Sequence, residues 1–239
     1  MKKQFLALAT VLPLLALPAH ADEAKGGTIS VTGTGIIDMA PDMALVSAGV
    51  QSRAKQAQQA LAENNTKMQA LFAELEKAGI DKKDIQTDNF NIHPEIVYPQ
   101  NNNSNIQRAP EIVGYVVNNQ VGVKIRKLEN VGSVLTALVN AGANNMSGLR
   151  FDVSDKANLM DEARKAAIAN ARAKAELYAT ELGTSIKRLT SLSENGGNRP
   201  PVPMMMRAGK AEMMVADVPV AEGTLSMSIT INTNWELAQ

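Results

Sequence analysis

The chain contains no cysteine. That excludes disulfide bracing, thiolate nucleophiles, Cys-ligated zinc and thiol redox exchange, so the fold must be held by its core. Histidine is almost as scarce: apart from His20 near the N-terminus there is only His93. A multi-histidine metal site is excluded within one chain, and a Ser-His-Asp triad would have to use His93. Charge of one sign is missing too, with 24 basic and 24 acidic residues. Such a balance argues against nucleic acid and against anionic membrane surfaces, both of which favour basic patches. Beyond the first 21 residues no apolar run approaches the roughly 20 residues that cross a bilayer.

What is present begins with a secretory signal. Lys2 and Lys3 form a positive start, Phe5 to Leu17 an apolar stretch, and Ala19-His20-Ala21 a small-residue cleavage site. Cleavage after Ala21 would leave a short leader over 22–27 and a soluble chain outside the cytoplasm. The remaining 28–239 reads as a single domain with long loops near 99–110 and 195–222. Loops of more than about 12–15 residues in a compact domain carry function or disorder.

Periodicity predicts strands alternating with helices. A strand starting at Ile29 and Val31 is expected to end at Gly33-Thr34-Gly35, with Pro41 and Asp42 setting a turn. The glycine pair lacks the third glycine and following helix of a dinucleotide site, and no Lys-Ser or Lys-Thr follows as in a phosphate loop. Turn glycines are the simpler reading. Met43 to Arg53 alternates as a half-buried strand. A helix follows with Ala54, Ala57, Leu61, Met68, Leu71, Phe72 and Leu75 on one stripe, then Ile85 to Pro94 and a strand from Gly114 to Ile125. Leu128, Val131, Leu135 and Leu138 mark a shorter helix, and Leu149, Phe151 and Val153 a strand. The longest helix, Asn158 to Leu182, puts Met160, Ala163, Ala167, Ala171, Ala175, Tyr178 and Leu182 on one stripe. So many small side chains permit close approach to a sheet. Ile186 to Glu194 and Thr224 to Trp235 complete the strands. The halves Leu45 to Ile125 and Leu149 to Trp235 both read strand, helix, strand, loop, strand, which implies a strand-helix-strand-strand pseudo-repeat.

In order and spacing the residues resemble the SIMPL-domain family, which includes bacterial periplasmic immunogenic proteins. The matching features are Val31, Gly33 and Gly35, Pro41-Asp42, Asn64-Asn65, Gly79-Ile80, Asp84 to Thr87, Phe90, Ile92 and Pro94. They continue with Gly114-Tyr115, Asn118, Gly142 to Asn144, Phe151, Ser154-Asp155, the alanine helix and Trp235-Glu236-Leu237. The resemblance implies an α+β fold of antiparallel strands backed by helices, in a periplasmic, non-enzymatic protein that self-associates, in some members into hollow assemblies, with a protective role in envelope or oxidative stress. It implies no cofactor and no catalytic residue.

Two sets of residues stand out as candidate sites. Met204, Met205, Met206, Met213 and Met214 form a loop suited to a subunit interface, to Cu(I) or another small ligand through soft thioethers, or to reversible oxidation. His93, Asn118, Gln120, Asn232 and Asn234 lie on polar strand faces that would meet water or another copy in a homo-oligomer. A hydrolase would need His93 as base, beside Asp84, Asp88 or Glu95.

Overall fold

The computed structural model describes residues 27–98, 109–195, 202–204 and 218–238. The signal segment, the leader up to Gly26 and most of the two long loops lie outside the described residues. Strand β1 (Thr28–Met39) and strand β2 (Met43–Ala54) are separated only by Ala40, Pro41 and Asp42, yet they enter different sheets. After them come α1 (Ala57–Lys77), β3 (Ile85–Val97), β4 (Glu111–Ile125), α2 (Val131–Asn140) and β5 (Asn145–Asp152). The chain ends with α3 (Lys156–Glu181), β6 (Ile186–Asn195), β7 (Val202–Met204) and β8 (Thr224–Leu237). The first sheet has the order β1-β8-β6, with β7 pairing a further part of β8. The second has the order β3-β4-β2-β5, and every pairing is antiparallel. This is the α+β fold the resemblance implies.

The strand at Leu149, expected to open a second repeat, is part of β5 and pairs with β2. In the first sheet β1 takes the place beside β8 that β2 holds beside β4 in the second. Two separate cores result. One joins β2 and β4 to α1 and α2 through Val46, Val50, Leu71, Leu75, Val121 and Leu138. The other joins β1 and β8 to α3 through Val31, Ile229, Ile231 and four alanines. At the crossing between sheets, Asp42 accepts from the backbone N–H of Ser154 at 2.8 Å, and its own N–H donates to the Asp152 carbonyl.

Gly33 and Gly35 are not turn residues. β1 runs straight through them to Met39, and both face α3. A Cβ at Gly35 would lie 2.0 Å from the Ala163 carbonyl oxygen, and one at Gly33 would lie 2.3 Å from that of Ala167. The glycines therefore let the helix backbone rest on the strand. The alanine stripe makes the same close approach from the other side. Its buried members are Ala163, Ala167, Ala171, Ala175 and Ala179, a strict four-residue step. Tyr178 and Leu182, expected on this stripe, are exposed instead because Ala179 takes the buried position.

α3 also guards the free edge of β1. Asn170 accepts from the Thr34 N–H at 3.1 Å, and Lys174 donates to the Thr32 carbonyl at 2.9 Å. Side chains bonded to an edge strand remove the template that another strand would use. On α1 the buried stripe is Ala60, Asn64, Met68, Leu71 and Leu75, with Phe72 exposed. Asn64 is fully buried and donates to the Val50 carbonyl at 2.8 Å. Turning that amide inward rotates the stripe away from Ala57, Leu61 and Phe72.

Candidate functional site

His93 sits on the outer face of the second sheet, opposite Val116. Its Nδ1 meets the Asn91 side-chain oxygen at 3.2 Å, and the Asn118 amide donates to the same oxygen at 3.1 Å. The carboxylates expected near His93 are engaged elsewhere. Glu95 pairs with Arg53 at 3.1 Å. Asp84 takes two bonds of 2.7 Å from Arg126, whose guanidinium holds the buried carboxyl below its ordinary range against the opposing effect of burial. Asp88 lies over Gly122, its carboxylate oxygens within 2.9 Å of where a Cβ would stand. Among the described residues His93 is thus placed in an asparagine network, without an orienting carboxylate.

The outer face of the first sheet is also knit by hydrogen bonds. Thr32 donates to Asn232 at 2.9 Å. Asn234 accepts from the Ser30 hydroxyl and donates to Ser191 at 2.7 Å, so one side chain spans β1, β8 and β6. At the end of this face Lys187 and Arg188 both bond Glu236, and the Lys187 bond is the main reason its carboxyl sits low. The structure therefore brings Asn118 together with His93 and Asn91, and Asn232 and Asn234 with serine and threonine. The two groups belong to different sheets. Gln120 is half-buried on β4, opposite Asn89.

Met204 ends β7 opposite Thr224. Met205, Met206, Met213 and Met214 lie outside the described residues. Among the described residues no group of three or more His, Asp or Glu side chains is placed to hold a metal. A shallow groove of about 340 Å³ crosses the outer face of the second sheet, with Ser47 and Gly122 beside Asp88, Lys124 and Arg150. It is open and carries both charge signs.

One surface was not foreseen. The hairpin of β3 and β4 carries Phe90, Ile92, Ile96, Ile112 and Val113, between 40% and 58% exposed, with Tyr98 at 71%. Phe90 and Ile92 lie opposite Asn119 and Val117, and Ile96 lies opposite Ile112. Val113 is the extra residue of a bulge at that point. Alternation puts these side chains on the face that β4 buries farther along, at Val121 and Val123. α1 packs on β2 and β4, whereas β3 adds only the half-buried Ile85 to the core. The available signal was the apolar character of Ile96 and Val97 before the loop and of Ile112 and Val113 after it. Pro94 masks that signal, because a proline inside an apolar run reads as a strand end. An edge strand tolerates proline, and β3 continues through it to Val97.

These features define a two-sheet α+β protein with hydrogen-bonded polar outer faces and one bare apolar arm. The chain belongs to the SIMPL family, described as a protein of unknown function (DUF541), which matches residues 29–235. It is similar to the 26 kDa periplasmic immunogenic protein of Brucella melitensis, with 36% identity over 93% of this chain and 91% of that one. It is also similar to the uncharacterized protein YggE of Escherichia coli K12, at 31% identity over 88% of this chain and 84% of that one. No helix among the described residues is long and apolar enough to cross a membrane.

Proposed function

We propose that the protein is a non-enzymatic periplasmic protein that self-associates and protects the envelope during oxidative stress. The carrying observation is the distribution of its surface chemistry. Polar side chains on both outer faces are occupied by cross-strand hydrogen bonds, while large apolar side chains on the β3–β4 hairpin are left exposed among the described residues. Contiguous apolar patches of more than a few hundred Å² on soluble proteins mark interaction sites. The periplasmic address is supported by the name of the Brucella relative and by the predicted signal segment. Protection would draw on the methionines at 204–206 and 213–214, since thioethers oxidise reversibly to sulfoxides.

Native mass measurement tests the assembly directly. Sedimentation equilibrium at micromolar concentration should give a mass above the monomer; a monomer throughout removes self-association from the account. For protection, a strain lacking the protein should lose survival in peroxide. The unaltered gene should restore it, and a version with all five methionines replaced by leucine should not. Equal rescue by both would exclude the methionines.

A further inference from the structure

We infer that the inner face of the β3–β4 hairpin is an isologous interface, covered by the same face of a second copy of this chain. The inference rests on the self-association proposed above and names the surface that carries it.

Three observations select a second copy as the occupant. First, the patch is uncharged. Phe90, Ile92, Pro94, Ile96, Ile112, Val113, Tyr115, Val117 and Asn119 make up this face, so it offers nothing to an acidic or basic partner and does not repel itself. The charged groups of the hairpin, including the Arg53–Glu95 pair, belong to the opposite face. Second, its size suits a dimer. Side chains of this kind at half exposure amount to roughly 500–600 Å² of apolar surface. Two such faces brought together would bury about 1,000–1,200 Å², at the lower end for a specific interface. Third, the edge of β3 is built against strand addition. It carries Pro94 and a bulge at Asp88, between Thr87 and Asn89. Bulges and proline blunt an edge. The apolar face is therefore left to pack face to face, and a two-fold axis closes such a contact.

The absence of native cysteine makes the test clean. Ile112→Cys places one thiol in the middle of the patch, and Val139→Cys places one on exposed α2 as a control. Under mild oxidation at micromolar concentration, most of the Ile112→Cys protein should run as a covalent dimer and the control as monomer. A double variant, Ile96→Glu with Ile112→Glu, should lower the native mass while keeping the far-UV circular dichroism. If the unaltered protein exceeds monomer mass but Ile112→Cys cross-links no better than the control, this surface is refuted and self-association survives. A monomeric unaltered protein overturns both. Should the double variant fail to fold, the cysteine pair still decides the matter.

Discussion

The two sheets solve the same problem with opposite materials. In the first, α3 lies so close to β1 that glycine and alanine fill the contact, and Asn170 and Lys174 finish the strand's free edge. In the second, Val, Leu and Ile form a thicker layer under α1 and α2, which stop short of β3. The small-residue layer tolerates no added atom. The large-residue layer tolerates no lost one, and its helices leave an apolar strand uncovered. Stability should therefore respond to opposite kinds of substitution in the two halves, whereas assembly should depend on the second alone.

The largest effect is expected where backbone meets backbone. Gly35→Val puts a branched side chain where even a Cβ would overlap Ala163, and should cost on the order of 5 kcal/mol, beyond ordinary overpacking. Loss of the cooperative melting transition, or a fall of that size in urea, would agree with it. A Gly35→Val protein as stable as the parent would break the close-packed reading. In the second sheet the damaging change is a deletion. Leu71→Ala removes a fully buried side chain and should cost about 3 kcal/mol.

Asn64 gives a smaller effect. Its amide donates to the Val50 carbonyl, but its own oxygen has no partner among the described residues. Asn64→Ala should therefore cost only about 1–2 kcal/mol, since an unsatisfied buried group leaves with the bond. Calorimetry on this variant beside Leu71→Ala would show whether the ranking holds.

The smallest effect should be conditional on pH. Arg126 holds the Asp84 carboxyl below its ordinary range. A depressed folded pKa contributes stability above the unfolded value of about 4 and loses it as pH falls through the folded value. Asp84→Asn should thus be less stable than the parent at pH 7, with the gap closing in acid. A gap that stayed constant down to pH 2 would show that the ion pair is not its source.

Much of this contrast can be read in the residues, and the failures have physical causes. The alanines at four-residue steps announced a close helix-sheet contact. Gly33 and Gly35 read locally as a turn because the partner that needs them, Ala163 to Ala171, lies more than 120 positions away. The same distance hid the exchange of β1 for β5, since local pattern sets a strand's face but not its neighbour. The inward position of Asn64 is not legible, because an amide on an apolar stripe carries no periodic signal. The candidate polar residues were placed on strands correctly, but their bonding to one another depends on register. The apolar arm was cut short at Pro94 and Gly114, just before the residues that give it a face.

The central claim is that the strand left bare by its own helices is covered by another copy. Hydroxyl-radical footprinting at rising protein concentration tests it most directly, because it reads side-chain exposure residue by residue. Phe90, Ile92 and Ile112 should lose reactivity as the native mass increases, while exposed Tyr178 on α3 stays constant and buried Leu71 stays silent throughout. An increase in mass with unchanged labelling of Phe90, Ile92 and Ile112 would contradict it.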